Sequence, residues 1–305
     1  MKERVIALGF FDGVHLGHGA LLRRTAQEAA RRGCTSAVFT FDRPPKEVVS
    51  GIPCPLINSP ADRRELIRRL YGIDEVIMVP FDQEMMTTPW HQYLTGILME
   101  RYHAVHLVAG HDHHFGHKNE GSPERLVAAC GELGLGCDII PKVEVAGIEV
   151  SSTYIRRLVE LGQIDRANRF LGHPHVMTGP VRHGRGIGSS RLFPTANLEI
   201  PPHVLVPSHG VYVTRVTLPD GGQYAAVTNV GTRPTVNNGT DVTVEACLLD
   251  FQGDLYGTTV RLEFFHKLRD EMRFDSMDAL RIQIAADAET TRAYFRDHSD
   301  GVVEQ

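Results

Sequence analysis

The stretch VIALGFFDGVHLGH (residues 5–18) decides the reading of the first half of the chain. Its first six residues form a continuous apolar run of the kind that fills a strand buried on both faces. The run ends at Phe10, and Ala, Leu and Arg then recur at helical spacing over residues 18–32. A strand therefore gives way to a helix across FFDGVHLGH. Helix N-termini offer unpaired N–H groups and a positive dipole end, the natural seat of a phosphate. His15 and His18 flank Gly17 at that seat. Read alone, H-x-G-H serves equally to cap a helix or to hydrogen-bond triphosphate oxygens.

The same rhythm continues outward. SAVFTF (36–41), EVIMVPF (75–81), AVHLVAG (104–110) and CDIIPKV (137–143) read as strands. Residues 65–71, 89–102 and 123–134 read as helices between them. Alternating strands and helices predict a doubly wound, Rossmann-like parallel sheet, with ligands at the carboxyl ends of its strands. Near residue 172 the helical periodicity stops in a stretch rich in Gly, His and Pro. GVYVTRVTL (210–218), YAAVTNVG (224–231), VTVEACLLDF (242–251) and TTVRLEFF (258–265) follow, separated by the turn signals Pro219-Asp220-Gly221-Gly222 and Asn237-Asn238-Gly239. Short strands at even spacing predict a small β-barrel. A terminal helix over 276–295 with Ser276 as N-cap closes the chain. Two domains are expected, 1–172 and 173–305, the second able to fold from about Gly172 onward.

Composition narrows the function classes. The chain has 305 residues, 42% hydrophobic and 23% charged, with a net charge of −5. That charge argues against a general nucleic-acid binder. No apolar run is long enough to span a membrane. The N-terminus reads as a first strand rather than a signal peptide. Five cysteines without metal or redox spacing read as reduced thiols, which predicts a cytoplasmic protein.

A second segment, SSTYIRR (151–157), places Ser152, Thr153 and Arg156 at a helix start. With H-x-G-H it resembles the nucleotidylyltransferase superfamily, and GFFDGVHLGH is similar to the version in prokaryotic FAD synthetases (FMN adenylyltransferases). GHDHHFG (110–116) resembles that family's flavin loop at Gly110, Asp112, Phe115 and Gly116. The resemblance implies that Gly9, Phe11, Asp12, His15, Gly17, His18, Ser152, Thr153 and Arg156 bind ATP, with His15 and His18 catalytic. It also implies that Gly110, Asp112 and Phe115 bind flavin. The chemistry suits these residue types. The phosphate of FMN is largely ionised at neutral pH, its second pKa being about 6, so the site has to orient and neutralise charge rather than supply a base. Two departures bear on efficiency: Pro44 stands where the family has histidine, and His113 and His114 replace a Phe and an Arg. The cluster His111, His113, His114 and His117 matches no standard metal spacing.

The second half resembles riboflavin kinase through five motifs in order: FPTAN (193–197), NVGTRPT (229–235), Glu245 in its strand, DLYG (254–257) and KLRDEMRF (267–274). The chain as a whole thus resembles the bifunctional prokaryotic riboflavin kinase/FAD synthetases. The resemblance implies a Mg²⁺ held by Thr195 and Asn197, and an ATP site of His183, Gly186, Gly188, Pro194, Thr195 and Asn197. It implies Glu245 as the base toward the ribityl hydroxyl, and Arg269, Glu271 and Phe274 around the flavin ring. Ser189 and Leu192 depart from the family's Arg and Gly, which predicts a weaker hold on ATP. Its small-molecule partners are riboflavin, FMN and ATP, and its products FMN and FAD. Two other readings stay open: a kinase whose first domain is only a scaffold, and a non-catalytic flavin-binding regulator.

Overall fold

The structure, a computed structural model, describes residues 2–182, 195–234 and 240–298. The packing divides the chain into two compact units. The first comprises the residues up to Cys54 and Pro60–Ser151; the second comprises Pro55–Ser59 and everything from Ser152.

The first unit is built on a five-stranded parallel sheet in the order β3-β2-β1-β4-β5. Its strands are β1 (Arg4–Leu8), β2 (Thr35–Phe41), β3 (Glu75–Val79), β4 (Ala104–Gly110) and β5 (Gly136–Ile140). Between them run α1 (Leu16–Arg32), α2 (Pro45–Ser50), α3 (Pro60–Tyr71), α4 (Gln83–Thr87), α5 (Trp90–Gln92) and α6 (Pro123–Leu133). A small hairpin of β6 (Glu144–Val145) and β7 (Ile148–Glu149) follows. Of the apolar runs anticipated as strands, the central ones are buried, with Val5, Ile6 and Ala7 wholly enclosed, and the edge strands β3 and β5 are half-buried. The helix anticipated over 89–102 is different in kind. After α5 the turns widen into a π-helix over Tyr93–Arg101, whose end shows in the Tyr102 N–H reaching Ile97 O at 3.1 Å. The strand order reverses between β1 and β4, so the loops after these two strands share the crevice where doubly wound sheets bind ligands.

The second unit is a closed barrel, β10-β11-β12-β9-β8-β13. It begins with α7 (Ser152–Glu160) and α8 (Ile164–Leu171). Its strands are β8 (His175–Arg182), β9 (Thr195–Leu198), β10 (Gly210–Thr217), β11 (Gln223–Pro234), β12 (Thr240–Leu248) and β13 (Thr259–Arg269). The helix α9 (Met277–Asp297) closes it, and Ser276 Oγ caps the Ala279 N–H at 3.1 Å. The turn at Pro219–Gly222 joins β10 to β11 as anticipated, with the Leu218 N–H on Gly222 O at 2.8 Å. The turn at Asn237–Gly239 lies outside the described residues. Neither β8 nor β9 was legible: Gly179 and Pro180 interrupt the pattern of β8, and β9 is only four residues long. Gly179 has a purpose: a Cβ there would stand 2.3 Å from Glu199 O of the crossing chain.

Residues 152–171 precede the composition change at residue 172, yet they pack with the barrel. Asn168 shows how tightly. Its Nδ2 donates to Phe264 O and its Oδ1 accepts from the His175 N–H, both at 2.8 Å and buried. Ile164, Ala167, Phe170 and Leu171 bury the apolar face of α8. A fragment beginning at residue 173 leaves two buried backbone groups unsatisfied, at about 1–3 kcal/mol each, and strips this apolar cover besides. We expect residues 173–305 to melt without cooperativity or to aggregate, and residues 152–305 to be the more stable fragment. Circular dichroism melts of the two compare them directly; equal midpoints would show that α7 and α8 are dispensable.

Candidate active sites

The first site grows from the turn after β1. The backbone enters the left-handed region at Phe11 (φ 59°), Gly13 (φ 83°) and Val14 (φ 43°), and the turn closes with the Val14 N–H on Phe11 O at 3.1 Å. For Phe and β-branched Val this costs roughly 1–3 kcal/mol each, strain of the kind held at functional sites. It delivers His15 to the cap of α1, where Nδ1 accepts the His18 N–H at 3.2 Å. That bond leaves the proton of a neutral His15 on Nε2. The rings of His15 and His18 stack at 3.6 Å. His15 is thus a helix cap, and the pair forms a stacked two-imidazole platform at a helix N-terminus. Gly17 makes room for this platform, since a Cβ there would meet the His15 ring at 3.1 Å.

Burial, then His15 and Arg63, hold the His18 imidazole well below the ordinary histidine range, so it is neutral near pH 7. Its Nδ1 is buried and has no hydrogen-bond partner among the described residues. Phe11 is fully enclosed, its ring 5.1 Å from that of His18, and Asp12 is also buried. Phe11 is thus a support for the histidines. Ser152 and Thr153 open α7 and Arg156 lies one turn on, half-buried.

After β4, Gly110 and Asp112 lie at the crevice, and a Cβ on Gly110 would stand 3.0 Å from Asp112 Oδ1. Phe115 differs from the expectation of a flavin contact: it is buried in the sheet's core, 5.5 Å from the Tyr93 ring. It anchors the loop rather than presenting a face. Of the two unusual histidines, His113 stacks on Phe115 and burial pulls it down to about 4, while the His114 Nδ1–H donates to Asp112 O at 3.0 Å. Among the described residues no three His, Cys, Asp or Glu side chains group as a metal site. Pro44 precedes Pro45 at the start of α2.

The second site is a row across the outer face of the barrel. Strand register sets Arg269 opposite Val211, Val211 opposite Asn229, Asn229 opposite Glu245, and Glu245 opposite Asn197. Val244, Ala246 and Leu248 point into the barrel, so alternation turns Glu245 and Cys247 outward. Thr195 pairs with Cys247 in the next row, two residues from Asn197 on the same face. Glu245 thus sits in register between two amides, on the same face as Thr195. A cavity of about 330 Å³ opens over this row, lined by Thr195, Asn229, Glu245, Arg269, Phe274 and Asp287 among others. Its size suits a small-molecule ligand.

Arg269 is more constrained than the sequence suggests. Its guanidinium grips Asp287 of α9 through Nε at 3.2 Å and Nη2 at 2.8 Å, and lies 5.9 Å from the Phe274 ring. Gln283 Nε2 supports Asp287 at 2.9 Å. Glu271 accepts from Asn229 Nδ2 at 3.5 Å. Asn229 and Asp287 were not anticipated. Asn229 stood inside a quoted motif without a role, and Asp287 has no local signal. His183, Gly186, Gly188, Ser189, Leu192 and Pro194 lie outside the described residues. All five cysteines are free thiols, and no helix among the described residues is long and apolar enough to cross a membrane.

Two histidines at a helix start of a doubly wound sheet, and a carboxylate set among amides over a cavity on a barrel, fit an enzyme of the transferase class with two sites. Comparison with known proteins makes this specific. The FAD synthetase family matches residues 1–154 and the riboflavin kinase family residues 171–295. The chain is 32% identical to the bifunctional riboflavin kinase/FMN adenylyltransferase of Listeria monocytogenes, with 98% of this chain and 94% of that protein covered. It is 35% identical to the one of Pseudomonas fluorescens (95% and 92% covered) and 34% to that of Escherichia coli K12 (95% and 92%). A solved structure from Streptococcus pneumoniae, described as a macrolide-efflux protein, shares the fold at a TM-score of 0.84 and 31% identity, over 95% of this chain and 94% of that one. The chain belongs to the bifunctional riboflavin kinase/FMN adenylyltransferase family.

Proposed function

We propose that this chain phosphorylates riboflavin to FMN at the barrel and adenylylates FMN to FAD at the parallel sheet, using ATP in both steps. The division of labour is 1–172 for adenylyl transfer and 173–305 for phosphorylation, with α7 and α8 serving the first by residue type and the second by packing. The single observation that carries the reading is the Asn197–Glu245–Asn229 row over a cavity of ligand size.

In the kinase step Glu245 accepts the proton of the ribityl 5′-hydroxyl as its oxygen bonds to the γ-phosphorus. The bond from that phosphorus to the bridging oxygen breaks, and ADP leaves. A bound Mg²⁺ would neutralise charge on the phosphates. Thr195 and Asn197 fit it, since they offer neutral oxygen donors on one face with a carboxylate alongside, and hard cations take oxygen ligands. His183, Gly186, Gly188 and Pro194 complete the ATP side, and Arg269, Glu271 and Phe274 border the flavin. In the adenylyl step the FMN phosphate attacks the α-phosphorus and pyrophosphate departs. His15 and His18, with Gly9 and Gly17 giving backbone access, donate to the triphosphate; Asp12, Ser152, Thr153 and Arg156 assist. Gly110 and Asp112 border the flavin.

The test is a time course. Purified chain with riboflavin and Mg-ATP is expected to show FMN rising first and FAD following, with neither formed when EDTA replaces Mg²⁺. FMN without FAD would leave the sheet as a scaffold only, and binding of flavin with no product would make the chain a regulator.

A further inference from the structure

Arg63, on α3, is fully enclosed, and no carboxylate is hydrogen-bonded to it among the described residues. Its Nη1 donates to Phe10 O at 2.8 Å and its Nη2 to Phe41 O. The guanidinium carbon lies 4.2 Å over the Phe10 ring, and Nε is buried without a partner. Phe10 lies just beyond β1 and Phe41 is the last residue of β2, so both carbonyls stand at the end of the strand ladder. Thr40 Oγ1 adds a second donor to Phe10 O at 2.9 Å. Burial pulls Arg63 down to about 10, with Asp12 and Asp42 acting against that pull, so it keeps its charge at neutral pH.

Burying a cation carries a desolvation cost that its two carbonyl hydrogen bonds offset only in part, so what it holds in place is the question. What depends on it here is the residue after Phe10. Phe11 turns into the left-handed region, and its ring supports His18, which stacks on His15. Arg63 cannot touch a nucleotide from inside the core. We propose that Arg63 is a positioning residue for adenylyl transfer: its fork ties the ends of β1 and β2 together and fixes the Phe10–Phe11 turn, and through Phe11 the histidine platform. A planar two-pronged donor holds both carbonyls in one fixed geometry, which the compact, rotating ammonium of a lysine does not.

This rests on the reading that His15 and His18 act on ATP, so the experiment includes His18→Ala beside Arg63→Met and Arg63→Lys in the full chain. FAD formation from FMN is measured for kcat and for KM of Mg-ATP and FMN, and riboflavin phosphorylation in the same preparations gauges folding. Misplacing a reacting group costs on the order of a hundredfold, so Arg63→Met is expected to lower kcat for FAD by about that factor with KM nearly unchanged. Arg63→Lys restores charge and one bond, and recovers part of the rate, to within roughly tenfold of wild type. Riboflavin phosphorylation stays at the wild-type rate in both. A wild-type kcat for FAD in Arg63→Met overturns the proposal, as does a lysine variant no better than the methionine one. If Arg63→Met does not fold, a wild-type kcat in folded Arg63→Lys overturns it equally. Loss in His18→Ala with full activity in Arg63→Met removes Arg63 alone. Full activity in His18→Ala removes the histidine reading, and the route through Phe11 with it.

Discussion

Glu245→Gln is expected to stop FMN formation while riboflavin still binds. The substitution keeps the shape and the hydrogen-bonding reach of the side chain in the row between Asn197 and Asn229, so the barrel should be undisturbed. What it removes is the ability to take a proton. A riboflavin hydroxyl is a poor nucleophile until that proton leaves, and a positioned base contributes roughly 10²–10⁴-fold. Phosphorylation should therefore fall by at least two orders of magnitude, with flavin affinity, read from quenching of riboflavin fluorescence, close to wild type. FAD formation from supplied FMN should continue in the same protein. Near-normal FMN production would show that the carboxylate is a bystander on the barrel's outer face.

His18→Ala is expected to do the reverse. FMN-to-FAD conversion should drop on the order of a hundredfold or more, the usual loss when a pre-organised donor is removed, and riboflavin phosphorylation should hold. The neutral state of His18 sharpens this expectation. Burial, His15 and Arg63 disfavour its charged form, and only a nearby anion such as a triphosphate would reverse that preference. His15→Ala is the less clean experiment, because it also deletes the cap of α1 at about 1 kcal/mol. Conversion that survives replacement of both histidines would end the assignment of this motif. Product separation by chromatography measures both activities in one sample.

Much of the fold was legible because parallel strands buried on both faces must be apolar throughout. AVHLVAG coincides with β4 residue for residue, and α1 and α6 match the anticipated helices closely. The candidate kinase site was legible in its residue types, since Glu245 between Val244 and Ala246 is a charge that alternation must turn outward. Other features were hidden for physical reasons. Arg63 stands beside Arg64 in a charged helix, and nothing local tells which of the two points inward. Phe115, expected at the flavin, is buried in the core instead, because a loop aromatic can as well anchor its loop there. The pull of α7 and α8 toward the barrel depends on Asn168 reaching residues 175 and 264, and composition carries no trace of such partners.

Residues 55–59 have a history that the finished molecule conceals. Leu56 is laid down early, yet its backbone partners are His203 O at 2.8 Å and the Leu205 N–H at 2.7 Å, and Ile57 is fully buried with them. Those partners are made about 150 residues later, roughly 8–30 s at common rates of translation. During that interval the nascent chain carries Leu56 and Ile57 without their later partners, between α2 and α3 of a sheet that is otherwise free to assemble. Slow elongation lengthens the exposure, so the yield of native protein should depend on how fast the second half is synthesised.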